Sequence, residues 1–377
     1  MSRAFPASCL ALSLAVFASA CSTDATRSLE PSLTSSSNEN QNGDQDEDGG
    51  GMSRFTYALI GDTPYGQAKR DSFPAFVDLI NSDPAVERVL HAGDIKAGTN
   101  TPCTDAYNAD IRQQFDRFDD PLVYTPGDNE WTDCHVAVKK NGLFWPTERL
   151  IAVRSTFFNN VGMTLGVHAQ GVTSQAQVDP ANAAYVENVM WTRSHILFAA
   201  INITGTNNDK GPWTSSPALP SEVPPNAALY PTQSEEQASR AQATAAWIAR
   251  AFSEARANGA KGIALLFQAD MWDGTLATRS TTIDGYDEIV TQIGTLAAAF
   301  GKPVLLINGD SHLFRIDTPF VATSPLFVLH PNTPIAPNVT RVVMDGSTNT
   351  SEYLRLTVDP KAKKGVSPWT IEEVLFK

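Results

Sequence analysis

Four short segments of this chain each run an apolar strand into a Gly-Asp pair, and that repetition constrains the fold more than any other feature. The first is Phe55–Gly66, FTYALIGDTPYG, which delivers Asp62 just past the apolar stretch Phe55–Ile60. VLHAGD (Val89–Asp94), LVYTPGDNE (Leu122–Glu130) and VLLINGDSH (Val304–His312) repeat the device. One Gly-Asp is ordinary turn chemistry. Four of them, each closing a buried-looking strand, put four carboxylates on one rim, at the edge where open α/β sheets bind ligands. Anions that close coexist only when protonated or gathered around a cation. The pattern therefore predicts a metal site.

Periodicity supplies the elements between these strands. Lys69–Asn81 carries Phe73, Phe76, Val77 and Ile80 at helical spacing, with Pro84 beyond its end. A strand follows at Arg88–His91, a helix at Asp105–Phe118 and a strand at Leu122–Thr125. That βαβαβ opening implies parallel strands joined by right-handed crossovers. His135 to Ala184 is irregular and reads as an insertion over the rim. Strands at Asn188–Thr192 and His195–Ile201 precede Thr206–Gln233, a Pro-, Ser- and Asn-rich loop of a length that is usually functional or disordered. Glu235–Asn258 is a strong helix stopped by Gly259, followed by strand Ile263–Phe267, helix Tyr286–Phe300 and strand Val304–Asn308. Only short strands remain, near Phe327, Arg341–Met344, Tyr353–Val358 and Ile371–Phe376. Alternating β/α halves with antiparallel strands late predict the α/β class, as two mixed sheets flanked by helices in a four-layer α/β/β/α sandwich. No internal repeat is present.

Residues 1–20 hold Arg3, an apolar run Cys9–Phe17 and then Ala18-Ser19-Ala20-Cys21. This is a secretory signal whose apolar stretch is too short for a membrane span. Small residues directly before a cysteine resemble a bacterial lipoprotein cleavage site, which would make Cys21 the acylated residue; the alternative is ordinary cleavage after Ala20. Ser22 in the next position resembles, by the same token, an outer-membrane destination. Residues 21–52 carry seven acidic side chains against the single Arg27 and almost no large apolar ones. They read as a disordered linker, leaving 53–377 as the folded domain. With Cys9 removed and Cys21 acylated, Cys103 and Cys134 remain as one pair, which an oxidising compartment would join as a disulfide.

The net charge of −13 disfavours a nucleic-acid backbone or an anionic membrane surface as partner, so membrane contact is expected only through a lipid anchor. No G-x-S-x-G elbow points to a serine hydrolase. No feature specifies an oligomeric state.

Taken together, the blocks resemble the calcineurin-like metallophosphoesterases. That family carries its ligands on five blocks, read as D-x-H, G-D-x-x, G-N-H-D/E, a lone His and G-H-x-H. Here they stand as Asp62-Thr63-Pro64, Gly93-Asp94-Ile95-Lys96, Gly127-Asp128-Asn129-Glu130, Gln268 within FQAD, and Gly309-Asp310-Ser311-His312. Order, spacing and strand context match over roughly Phe55 to Arg315. The resemblance implies a phosphoesterase that holds one or two metal ions and acts on a small phosphorylated substrate. Asp62, Asp94 and His312 match family ligands directly. Pro64 stands where the family has a ligating His, Asp128 replaces an Asn ligand, and Asp310 replaces the first His of the last block. Gln268 replaces the lone His, with Asp270 on the same strand as the other candidate. Such an oxygen-rich set prefers Mn²⁺ or Mg²⁺, with Ca²⁺, Zn²⁺ or Fe as alternatives.

Other residues are expected around the substrate. Asn129 occupies the place of the family's leaving-group His, and His135, beside Cys134, is a candidate general acid in its stead. Lys96 either sets an ammonium where a second metal would sit or is a solvated strand-end lysine. Tyr65 either donates to a phosphoryl oxygen or packs against the insertion. Asn207 and Asn208 either contact phosphate or form a turn. For the leader, protein expressed with its own signal is expected to begin at an acylated Cys21, and Cys21→Ala to be soluble or unprocessed. Mass spectrometry of the mature N-terminus checks this, and an unmodified Cys21 at that end refutes it.

Overall fold

The two faces of the first strand enter different cores. β1 (Phe55–Ile60) buries every residue, with Phe55, Tyr57 and Leu59 in one cluster and Ala58 and Ile60 in another. A strand covered on both faces reads as an unbroken apolar run rather than an alternating one. The computed structural model describes residues 51–136, 144–213, 232–273, 283–347 and 352–375. The signal, Cys21 and all but the last two residues of the linker lie outside them.

Two mixed sheets form the scaffold. The first runs β12–β11–β1–β2–β3, where β2 is Val86–His91, β3 Leu122–Tyr124, β11 Glu352–Val358 and β12 Trp369–Leu375. β1, β2 and β3 are parallel, as the βαβαβ opening predicts, and β11 and β12 add on antiparallel. The second runs β4–β5–β6–β7–β8–β10–β9. In that order its strands are Thr173–Ser174, Val189–Arg193, Ile196–Ala200, Gly262–Leu266, Val304–Asn308, Val339–Val343 and Arg315–Asp317. The central strands β6, β7, β8 and β10 are parallel, and antiparallel pairs close both margins.

Three cores hold these sheets. Leu59, Leu90 and Val123 of the first sheet pack with Phe198, Leu266, Ile307 and Val342 of the second. The alternate residues of the first sheet pack with α1 (Gly66–Asn81), α2 (Asp105–Phe115) and α3 (Pro146–Phe157). Beyond the single turn α4 (Gln175–Val178), the helices α5 (Gln233–Ala257) and α6 (Asp287–Phe300) pack on Leu197, Ile263, Leu265 and Leu306 of the second sheet. Local chemistry sets the helix ends. Thr232 and Glu235 form a capping box that starts α5, and Gly301, at φ 67°, stops α6 in the left-handed region.

Three elements depart from the sequence reading. α3 lies inside the stretch read as irregular. Leu150, Val153 and Phe157 are buried along it, but so is Arg149, which pairs with Asp105 at 2.7 Å. Arg154, one residue past Val153, reaches the buried Glu187 at 2.6 Å. Buried cations blurred the apolar stripe. Phe327–Leu329 is a 3₁₀ turn rather than a strand, and β9 is a three-residue edge strand without an apolar run.

Cys103 and Cys134 are joined, with Cα atoms 5.9 Å apart across 31 residues of sequence. Closing a loop of that length stabilises by roughly 3–4 kcal/mol on the chain-entropy account. It ties the start of α2 to the segment that follows β3.

His91 ends β2 and is wholly buried, its ring against Phe115 and Tyr124. Its Nδ1 accepts from Gly93 N at 3.1 Å, so its Nε2 carries the proton and donates to the Thr63 carbonyl at 3.0 Å. One neutral imidazole thereby joins the turns after β1 and β2. Burial pushes its pKa down to about 4, from an ordinary 6.5. The folded value lies below the unfolded one, so this stabilisation is complete above about pH 6.5 and is lost as pH falls toward 4. The loss amounts to about 3 kcal/mol. Unfolding free energy from urea titrations should therefore fall more steeply over that window for the wild type than for His91→Gln, and parallel curves would refute the assignment.

Candidate metal centre

The carboxyl ends of the parallel strands from both sheets meet at one rim, and the turns leaving them are tightly coiled. Asp62, Asp94, Asp310 and His312 all adopt positive φ, at 52°, 56°, 75° and 56°. Asp tolerates the left-handed region better than most residues, and His is enriched there too. Two glycines of the Gly-Asp pairs, and Gly205, do more than turn the chain. A Cβ on Gly309 would collide with Asp62 Oδ2, and one on Gly127 with Asp94 Oδ1. One on Gly205 would lie 2.6 Å from Asp128 Oδ2. Each glycine is the seat for another block's carboxylate, which is why the blocks close on a common centre.

Hydrogen bonds fix the acids. Asp310 N donates to both oxygens of Asp62, at 3.1 and 3.2 Å. His312 Nε2 lies 3.1 Å from Asp62 Oδ1. Asp94 Oδ2 accepts from Asn129 Nδ2 at 2.7 Å, from the Tyr65 hydroxyl at 3.1 Å and from Gln268 Nε2 at 3.3 Å. Thr206 Oγ1 stands 2.6 Å from Asp128 Oδ2 and 3.0 Å from Asp133 Oδ1. Glu130 sits beneath this layer. One of its oxygens accepts from Gly127 N, Asp94 N and the Tyr124 hydroxyl at 2.8, 3.1 and 2.6 Å.

The electrostatics follow from burial. Asp94 is held well above the ordinary carboxylate range by burial and by the charges of Asp128, Glu130, Asp62 and Asp310. Asp310 is raised likewise, by burial and then by Asp128. Burial also raises Asp62, although the hydrogen bond and charge of His312 work against it. His312 loses charge stability through burial, but Asp62 more than compensates and lifts its pKa.

Among the described residues, two groups of side chains converge closely enough to hold cations. Asp62, Asp94 and His312 form one, and Asp94, Asp128 and Asp310 the other; within each, one potential ligand atom per residue lies within 4.8 Å of the others. Asp94 belongs to both. Mostly carboxylate donors with a single imidazole fit a hard divalent cation. The groups face a cavity of 1190 Å³, lined on the site side by Tyr65, Asp94, Asp128, Asn129, Asp133, Asp310 and His312.

Several expected residues have other duties. Gln268 is at the centre, but a backbone N–H can only donate, and Gly205 N donates to its Oε1. Its amide nitrogen therefore faces Asp94 and Asp128, and Gln268 serves as a donor rather than an oxygen ligand. Asp270 is spoken for by the Arg341 guanidinium and by Ser311 Oγ at 2.7 Å; only its backbone N reaches the centre, donating to Asp310 at 2.9 Å. Asn207 and Asn208 are turn residues: Asn207 bonds Asp284 and Gly285 N, and Asn208 accepts from Arg240. Lys96 is buried, with Nζ donating to the Ala97 carbonyl at 3.1 Å and its pKa lowered to about 8 by burial against the pull of Glu130 and Asp94. His135 is turned to the Thr132 carbonyl at 2.7 Å, and neither it nor Lys96 lines the cavity.

Sequence reasoning missed Asp133, Thr206 and the role of Glu130. Glu130 was visible as the last letter of GDNE. Thr206 was hidden because it depends on a turn, Gly205–Asp209, in which Thr206, Asn207, Asn208 and Asp209 are all left-handed. The glycine seats give a test. Gly309→Ala and Gly127→Ala should each weaken divalent-cation binding at least tenfold and lower the melting temperature, since neither Cβ can enter without moving a ligand carboxylate. Calorimetric titration of Gly171→Ala, whose Cβ would meet nothing within 4 Å, provides the control. Equal affinities would refute the seating.

No family model and no curated protein matches the chain. Solved structures do match it. One is described as "GAP50 the anchor in the inner membrane complex of Plasmodium", 10% identical, with the alignment covering 86% of this chain and 89% of that one at a TM-score of 0.41.

Proposed function

We propose that this protein is a metal-dependent phosphoesterase of the calcineurin-like type, exported to the cell envelope. The observation that carries the reading is Asp94, whose carboxylate is common to the two ligand groups. A carboxylate shared in that way suits a pair of cations and is what the G-D block of the resembled family supplies. The three cores support a four-layer α/β/β/α stack as its scaffold. Mn²⁺ or Mg²⁺ fits the donor set best, because only one imidazole contributes. Bound there, such an ion would polarise a phosphoryl group and lower the pKa of a water molecule.

The chain's own residues would do the rest. Tyr65 OH and Asn129 Nδ2 lie 3.2 Å apart and both reach toward Asp94. In a complex they are placed to donate to phosphoryl oxygens instead, orienting the group for attack. His312 Nε2, bonded to Asp62, is a ligand candidate rather than a free acid. Export rests on the leader and on the disulfide-permissive compartment it implies. Among the described residues no helix is long and apolar enough to cross a membrane.

A second reading is a protein of the same architecture that binds metal or a phosphorylated ligand without turnover. The crowding of Asp94 Oδ2 favours it: three donors already satisfy that oxygen, so the acids can persist without an ion. Melting and turnover separate the two. With an aryl phosphate monoester and diester as substrates, chelation should abolish turnover and lower the melting temperature by several degrees, as loss of a ligand at a hundredfold its Kd costs about 2.7 kcal/mol. Mn²⁺ or Mg²⁺ should restore both better than Zn²⁺. Asp94→Asn should lose turnover and metal-induced stabilisation, yet melt higher than the metal-free wild type, because one buried charge is gone. Metal-dependent melting without turnover favours the binding protein. Unchanged melting with no bound metal, and no rise in melting temperature with any phosphorylated ligand, sinks both readings.

A further inference from the structure

We infer that the outer half of the cavity is a subsite for a polyhydroxylated leaving group, so that the substrates are sugar or polyol phosphates rather than nucleotides. The inference rests on the phosphoesterase reading and assigns its substrate class. The cavity, at 1190 Å³, is as large as sites that enclose a whole drug-sized ligand, roughly 300–1,000 Å³. A phosphoryl group at the acids fills only its floor. The remaining wall comes from Gly98–Pro102 and the first turns of α1 and α2.

Three features of that wall select the ligand. First, beside Ala97, Pro102 and Ala106 it presents hydroxyls, amides and cations: Thr99, Asn100, Thr101, Gln67, Lys69 and Arg70. Arg70 pairs with Asp110 at 2.9 Å and donates to Gln67, while its Nε is buried without an acceptor. The guanidinium is thus neutralised as a charge, which leaves this wall a weaker draw for a second anion than for neutral hydroxyls. Second, the aromatic rings among the described lining residues, Tyr65 and Tyr107, are already engaged. Tyr107 is buried, with its hydroxyl bonded to the Pro64 and Ile95 carbonyls and its ring covered by Arg70 at 4.9 Å. Tyr65 packs edge to face with His312 at 5.5 Å. Base recognition without hydrogen-bond readout rests on stacking against such faces. Third, the wall is anchored at its Cys103 end. Cys103, next to Pro102, is tied to Cys134, and its carbonyl accepts from Arg149 at 2.9 Å. A polar wall anchored in this way binds at a lower ordering cost.

The test compares the Mn²⁺-supplemented protein on glucose 6-phosphate, methyl phosphate and adenosine 5′-monophosphate. The expected result is kcat/KM at least tenfold higher for glucose 6-phosphate than for either other ester, expressed mainly in KM. Thr101→Val combined with Asn100→Ala should cut the preference over methyl phosphate about tenfold, the effect of losing one or two hydrogen bonds. A nucleotide preferred over the sugar phosphate, or a preference untouched by the double variant, overturns the subsite. Absence of turnover on every ester is a failure of the phosphoesterase reading instead. In that event calorimetric titration with glucose 6-phosphate decides: weaker binding by the double variant than by the wild type upholds the subsite, and equal or undetectable binding by both overturns it.

Discussion

Repulsion between buried carboxylates is the constraint on which the rest of this molecule depends. Asp62, Asp94, Asp128 and Asp310 close on one rim, and two unit charges 4–5 Å apart repel by about 3–4 kcal/mol at an effective dielectric near 20. The sequence answers this twice. Locally, Tyr65, Asn129, Gln268 and His312 turn donors toward the acids. Globally, the acids stand at the ends of parallel strands from two sheets whose cores are large and apolar. The stability of the scaffold is what permits an unfavourable cluster to persist at its edge.

The left-handed turn Gly205–Asp209 belongs to the same economy. Four consecutive non-glycine residues at φ between 51° and 57° are unfavourable by roughly 1–2 kcal/mol each. They hold because the surroundings over-determine them. Arg240, itself bonded to Glu236 at 2.9 Å and set 5.3 Å from the Trp131 ring, donates to the side chain and carbonyl of Asn208. Asn207 is bonded on both sides to the Asp284–Gly285 turn. What the strain achieves is the position of Thr206 Oγ1 between Asp128 and Asp133, and of Gly205 N against Gln268.

The sequence made the scaffold legible because its signals were local. Phe55–Ile60 and Val304–Asn308 are strands with the boundaries read from their apolar runs, and the Gly-Asp pairs mark where they end. The pairing of Cys103 with Cys134 followed from arithmetic and compartment. Other features were illegible because they depend on partners far away in the chain. Asp270 and Gln268 leave the same strand, and only Arg341, 71 residues on, decides that Asp270 is an ion-pair member. Asn207 and Asn208 looked like phosphate contacts or turn formers with equal right until Arg240 and Asp284 were seen to claim them. The glycines were read as turns, whereas at Gly127 and Gly309 the missing side chains matter because of carboxylates contributed by other blocks.

Gln268 shows how far substituting an amide for an imidazole alters such a centre. An imidazole offers a metal one nitrogen and keeps the other for a supporting acceptor. An amide offers one oxygen and one NH₂, and here Gly205 N–H has taken the oxygen. To present that oxygen to a cation, the amide would have to turn over. Gly205 N–H, fully buried, would then lose its acceptor, and the NH₂ would leave Asp94 and Asp128 for the Gly205 donor. A buried donor without a partner costs about 1–3 kcal/mol, and the strained turn that supplies it would have to move. Because the Gln268 NH₂ donates to Asp94, which belongs to both ligand groups, as well as to Asp128, the conformation of Gly205–Asp209 bears on both halves of the centre. What distinguishes the two halves is donor chemistry: one adds the imidazole of His312 to its carboxylates, and the other is built of carboxylates alone.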